Sequence, residues 1–216
     1  MQTIHGILFE PVGCLAEFSP EPFNEMAILV SGRRTKASRS ASRTYWYLLN
    51  LMETTGMRLS ESQIAQIEDL ELQAVETASA YEDVVPALSE LDAMGVNLIM
   101  ASSLSRAAAM RFIERAALDG MFTVVSSRDR AEHVRAAPLR NALTTAGLEP
   151  EHGMFITDTA DGLQVANSLG LNSILMMNDP DEAMRLAVHG PSGGIVSLHE
   201  LPDFIRMVAA ENARRI

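Results

Sequence analysis

The sequence predicts an α/β fold, a parallel sheet covered by helices on both faces, with an all-helical segment inserted directly after the first strand. Three observations carry this. Ile4, Ile7, Leu8 and Phe9 form a short β-prone run that stops at Glu10, Pro11 and Gly13, where proline and glycine forbid a regular strand to continue. From Tyr81 onward similar runs alternate with helical patterns of roughly 10 to 15 residues, the signature of parallel strands joined by crossover helices. Between these two regions, residues 16 to 79 show only helical periodicity.

The helical segment opens at Ser19, Pro20 and Pro22, where Ser19 suits a cap and prolines are tolerated in a first turn. That helix, through Met26, Ile28, Leu29 and Val30, should end near Gly32. The following Ser-rich stretch, from Ser31 to Arg43, gathers five of the seventeen positive charges and little apolar surface. It reads as a solvated or partner-docking loop, or as an anion sensor reaching over the crevice. Tyr45, Leu48, Leu49 and Met52 recur at helical spacing and predict an amphipathic helix stopped near Gly56. Ser60 and Gln63 have capping-box spacing with Leu59 as staple, and Ile64, Ile67, Ala74, Val75 and Ala78 mark the buried stripe of a third helix.

In the alternating region, a helix through Val84, Leu88 and Leu91 ends at Gly95, and an apolar strand from Val96 to Ala101 empties into Ser102 and Ser103. A helix through Met110, Ile113 and Ala117 leads to a strand at Phe122 to Val125. A helix from about Val134 to Ala146 precedes the strand Met154 to Thr157, which ends at Asp158. A helix from Asp161 to Leu169 leads to a strand from Ser173 to Met177. The last helix, behind a capping box at Ser197 and Glu200, buries Leu201, Phe204, Ile205 and Val208.

A chain of 216 residues can bury one good core, and 47% hydrophobic with 21% charged residues is ordinary for a globular protein. A formal charge of -11 argues against general nucleic-acid binding, which needs clustered Lys and Arg. One cysteine, Cys14, leaves no internal disulfide, and no Cys/His group has zinc spacing. No apolar run reaches the roughly 18 residues of a membrane span, and no basic-then-apolar signal segment is seen, so a cytoplasmic location is the expectation.

The run Ile7-Leu8-Phe9-Glu10-Pro11-Val12-Gly13-Cys14-Leu15 resembles the first motif of the haloacid dehalogenase-like (HAD) hydrolase superfamily, in which four hydrophobic residues precede Asp-x-Asp-Gly-Thr. Four further matches follow in order. Tyr81 to Leu91 is similar to the re-entry from the family's cap, and Ser102 falls at the second-motif Ser or Thr. Thr157-Asp158-Thr159 with its helix resembles the fourth motif, Gly-Asp-Ser-x-x-Asp, and Gly194 to Ile205 resembles the closing strand and helix. The resemblance implies a Rossmann-like doubly wound core over residues 1–15 and 80–216 with a small all-helical cap over 16–79.

It also implies a phosphoryl-transfer site, in which Glu10 stands for the nucleophile, Ser102 for the phosphoryl contact and Arg135 or His133 for the third-motif lysine. Gly13, Cys14 and Ser103 would line the ligand, and Glu10, Asp158 and Asp161 would offer carboxylates to Mg²⁺. Each has a plainer reading. Glu10 suits a carboxylate held by loop amides, Asp158, Ser102 and Ser103 suit helix caps, and Cys14 suits a small buried side chain. The chemistry departs from the family at several points. Glutamate moves the carboxylate by roughly an ångström, a displacement worth about 10²-fold in rate. Val12 replaces the general acid, worth about 10²- to 10⁴-fold more. Gly162 replaces the second metal-supporting acid, and an arginine fork is not a lysine point charge.

The expectation is therefore a HAD-like protein with impaired catalysis that binds a small anionic, phosphorylated ligand or a protein partner. The alternative is an active Mg²⁺-dependent phosphatase working through Glu10. No nucleic acid or membrane is expected as partner. Tyr45, Trp46 and Tyr47 suit either cap-core packing or a homo-oligomer interface.

Overall fold

The computed structural model of the chain describes residues 3–33, 39–54, 59–128, 134–178 and 184–213. His133 and the middle of the basic stretch, residues 34–38, lie outside them. Among the described residues no helix is long and apolar enough to cross a membrane.

Six parallel strands form the core sheet: β1 (Gly6–Phe9), β4 (Asn97–Ser105), β5 (Val124–Arg128), β6 (Gly153–Thr157), β7 (Asn172–Met176) and β8 (Gly193–Ile195), in the order β5-β4-β1-β6-β7-β8. β1 is paired on both sides, with Leu8 opposite Ile99 and Phe155, and its four residues are all buried. A strand so placed has no polar face to show, which is why its sequence is a continuous apolar run rather than an alternating one. Helices α5 (Val84–Ala93), α6 (Arg106–Arg115), α7 (Ala137–Ala146), α8 (Ala160–Leu169) and α9 (Leu201–Ala213) flank the sheet.

After β1 the chain makes a four-residue helical turn, α1 (Pro11–Cys14), and leaves the core through β2 (Ala16–Glu17). It returns through β3 (Ser79–Ala80), and β2 and β3 pair antiparallel as a two-stranded stem. The regular elements described between them are helices: α2 (Pro20–Ser31), α3 (Ala41–Thr54) and α4 (Glu61–Thr77). Gly32 ends α2 in the left-handed conformation (φ 64°), as the sequence predicts. The capping box of α4 is complete, Ser60 Oγ accepting from the Gln63 N–H and Gln63 Oε1 accepting from the Ser60 N–H at 3.0 Å.

The structure corrects several local expectations. Ser19 stands at the N-cap of α2, but its hydroxyl bonds the Glu21 carboxylate instead of a backbone amide. β4 does not end at Ala101; it runs on to Ser105 through an irregularity in its pairing with β5. Ile64 and Met110, read as stripe residues, are exposed, while Glu71 is fully buried on the stripe of α4 between Ile67 and Ala74. Tyr45 and Trp46 are core residues, and only Tyr47 of that trio reaches solvent.

Candidate functional site

Chain order along the sheet reverses between β1 and β6, and in open α/β sheets the crevice at such a reversal, outside the strands' carboxyl ends, is where ligands bind. Glu10 follows β1 and Asp158 follows β6, so both carboxylates stand at this crevice. Gly13 lets Asp158 and Ser42 close on the turn after β1. It has φ +82°, and a Cβ there would fall 2.0 Å from Ser42 Oγ and 2.4 Å from Asp158 Oδ2, so neither the conformation nor the space admits a side chain. On the other side of Glu10, the irregularity of β4 between Ala101 and Ser105 breaks the ladder where Ser102 and Ser103 meet Glu10.

Glu10 is enclosed by donors. The Ser102 hydroxyl donates to Oε1 at 2.7 Å, and the Ser103 N–H (3.2 Å) and the Tyr45 hydroxyl (3.3 Å) donate to Oε2. Burial nevertheless dominates and pushes its carboxyl up to about 7, the hydrogen bonds offsetting only part of the desolvation. This ring of donors suits both protonation states. Ionised, Glu10 accepts from both hydroxyls. Protonated, it can donate to the Ser102 hydroxyl while Oε2 still accepts from Tyr45 and the Ser103 N–H. Tyr45 itself is pushed well above its ordinary range by burial and by the carboxylates of Glu10 and Glu71, so it serves as a proton donor in hydrogen bonds and not as a phenolate.

Beside this ring lies a cavity of about 340 Å³. Its polar wall is Glu17, Arg39, Ser40, Ser42, Arg43, Tyr81, Asp158 and Asn178, and its apolar wall includes Phe18, Met176, Met177 and Leu186. Asn178 Nδ2 donates to the Gly13 carbonyl at 3.2 Å and to Asp158 Oδ2 at 3.4 Å, tying the cavity floor to the turn after β1. Gly13 lines the cavity; Glu10 does not.

The family resemblance implies Mg²⁺, and the side chains present do not fit it. Among the described residues no three His, Cys, Asp or Glu side chains converge to hold a metal. Asp161 turns to Arg135, with Nη2 to Oδ1 at 3.2 Å. The position of the family's second acid, Gly162, is filled from outside: a Cβ there would meet Thr157 Oγ1 at 2.0 Å and Thr157 Cβ at 2.8 Å. Thr157 stands where the fourth motif begins with glycine, so the two departures are one steric exchange. Glu10 in turn is fenced by three donors that a cation would have to displace.

Of the residues singled out from sequence, the fold brings Glu10, Ser102 and Ser103 into one hydrogen-bonded group and Gly13 with Asp158 into the cavity wall. Ser102 and Ser103 do not cap α6; Ser105 does, accepting from the Ala108 N–H at 3.2 Å, and the Ser103 hydroxyl donates to the Val134 carbonyl. Asp158 does not cap α8; Thr159 does, accepting from the Gly162 N–H. Cys14 is buried, its thiol directed at the Ile156 carbonyl and pushed up by burial and by Asp158 and Glu10, so it is no thiolate nucleophile. Arg135 joins Asp161 to the insertion, its Nη1 donating to Asn50 at 3.4 Å and its N–H to Glu53 at 2.7 Å.

Sequence reasoning missed Tyr45 as a partner of Glu10, and it missed a buried ion pair between Glu71 of α4 and Arg128 of β5. Burial alone would lower the Arg128 guanidinium, but the charge and hydrogen bonds of Glu71 hold it above its usual range. The available signal was a lone acid on an apolar stripe, since a buried carboxylate requires a partner.

Several solved structures share the fold. A haloacid dehalogenase-like family hydrolase from Streptococcus pneumoniae is 17% identical, with a TM-score of 0.68 over 94% of this chain and 99% of that one. A haloacid dehalogenase-like hydrolase from Bacteroides fragilis is 17% identical, with a TM-score of 0.72 over 92% and 100%. The L-2-haloacid dehalogenase of Xanthobacter autotrophicus, seen with chloropropionic acid covalently bound, is 17% identical, with a TM-score of 0.62 over 94% and 99%. No curated protein matches the sequence. The family model described as haloacid dehalogenase-like hydrolase matches residues 43–176, and the chain belongs to that family.

Proposed function

We propose that this protein is a HAD-fold member with impaired hydrolytic chemistry that binds a small anionic molecule in the cavity beside Gly13 and Asp158. One observation carries the reading: the carboxyl in the nucleophile's place is buried and ringed by Ser102, Ser103 and Tyr45, and it does not line the cavity. A nucleophile must reach its substrate, and at neutral pH half the Glu10 population holds the proton that occupies its lone pair. The general-acid position supports the same conclusion, because Val12 is a fully buried core residue with no proton to give. The helical insertion, residues 16–79, supplies the ligand-binding wall in the manner of a cap, with Arg39 and Arg43 bringing positive charge to an otherwise acidic chain. A phosphomonoester with an apolar body matches these walls, its anionic group toward the arginines and its body toward Met176, Met177 and Leu186.

The test combines two measurements on the full chain. Calorimetric titration with inorganic phosphate and a panel of phosphomonoesters should show binding that weakens at least about 10-fold in Arg39→Gln/Arg43→Gln, the effect of removing charge-assisted hydrogen bonds. Steady-state assays of the same panel, with and without Mg²⁺, should show no turnover above background. Mg²⁺-dependent turnover that Glu10→Ala abolishes would establish the active phosphatase and refute the proposal.

A further inference from the structure

We infer that the helical insertion is held permanently closed on the core by the buried Glu71–Arg128 pair, and that these two residues position the Ser102 to Ser105 segment that grips Glu10. The inference is independent of whether the cavity binds an anion. The Arg128 side chain is 7% exposed and that of Glu71 0%. Their contact is bidentate: Arg128 Nη1 bonds Glu71 Oε1, and Nη2 donates to Oε2 at 2.9 Å. Both ions are then used a second time on the β4 irregularity. Arg128 Nη1 donates to the Ser103 carbonyl at 2.9 Å, and Glu71 Oε2 accepts from the Ser105 N–H at 2.9 Å.

The four bonds thus join a helix of the insertion, β5 and the end of β4 that supplies two of Glu10's donors. Outside them, Glu76 on the next turns of α4 meets Arg111 at 2.6 Å and Arg115 at 3.0 Å on α6. On the far side Tyr45 of α3 rests on Glu10. Lifting the insertion would separate two buried charges and orphan the Ser105 amide in one step, and removing one partner of such a pair is far costlier than the pair's own net worth. Exposed pairs such as Glu76–Arg111 would yield readily to motion, but the buried one does not. A ligand therefore reaches the cavity without any swing of the insertion.

Amide hydrogen exchange by NMR on the full chain reads this directly, because the Ser105 N–H bonds Glu71 and the Leu8 N–H lies in the central strand. In the wild type, Ser105 should exchange with the same urea dependence as Leu8, that of global unfolding. Glu71→Gln and Arg128→Gln should each accelerate Ser105 exchange relative to Leu8 by about 10²- to 10³-fold. The double variant should exchange more slowly than the product of the two single effects, the mark of a coupled pair. Urea-independent exchange of Ser105 in the wild type would overturn the inference, as would single variants that leave Ser105 unchanged or combine multiplicatively. If a variant fails to fold, the wild-type urea dependence decides alone.

Discussion

Replacing Glu10 by glutamine should remove a pH dependence of stability that the fold itself creates. Burial carries the Glu10 carboxyl from 4.5 to about 7. At about 1.36 kcal/mol per pH unit, ionising it inside the folded protein costs about 3 kcal/mol. The sign follows from proton counting. Between pH 4.5 and about 7 the folded protein keeps a proton that the unfolded chain has lost, so raising the pH drives unfolding. The favourable contribution is complete below pH 4.5, is lost through about 7, and stays lost above it. Glutamine is neutral throughout and can imitate the protonated form, its amide donating to Ser102 while its carbonyl accepts from Ser103. The stability of Glu10→Gln minus that of the wild type should therefore rise by about 2.5 kcal/mol between pH 5 and pH 8. Urea denaturation at pH 5, 6, 7 and 8 measures it. Every other titrating group is common to both proteins and drops out of the difference. A difference constant to within about 0.5 kcal/mol would mean that Glu10 is ionised across the range and that burial does not dominate its hydrogen bonds.

Restoring the family's acid should fail for a steric reason: Gly162→Asp forces its Cβ onto Thr157 and should cost about 3 kcal/mol in urea denaturation, whereas Thr157→Gly/Gly162→Asp should be more stable than Gly162→Asp alone. Tyr45→Phe removes one donor to the Glu10 carboxylate, so its titration should move above 7, with stability falling by about 1 kcal/mol; a titration unmoved in the pH–stability profile would show that the Tyr45 contact is not made. Cys14 should resist an aromatic disulfide reagent in the native protein and react fully in denaturant, since its thiol is buried beside two carboxylates; rapid native labelling would contradict its placement.

The alternation of strands and helices, the place of the crevice and the positions of Glu10 and Asp158 at strand ends were all legible in the sequence. These features depend on short-range physics: an apolar run between breakers, a glycine that ends a helix, a Ser60–Gln63 capping box. That position 12 carries no acid was equally plain, because Val12 has no ionisable group in any fold. What each carboxylate does was decided only by packing. Tyr45 reads as one member of an apolar helical stripe, and its hydroxyl acquires a role because α3 lies over a strand end 35 residues earlier. Glu71 and Arg128 are separated by 57 residues and become partners because α4 and β5 meet across the β4 irregularity. Thr157 and Gly162 look like two unrelated departures from a motif until one helical turn places the methyl and hydroxyl of the first in the space of the second. Local patterns determine where the backbone goes. Burial and partner choice depend on elements far apart in the chain, and these set whether a carboxyl at a strand end can react.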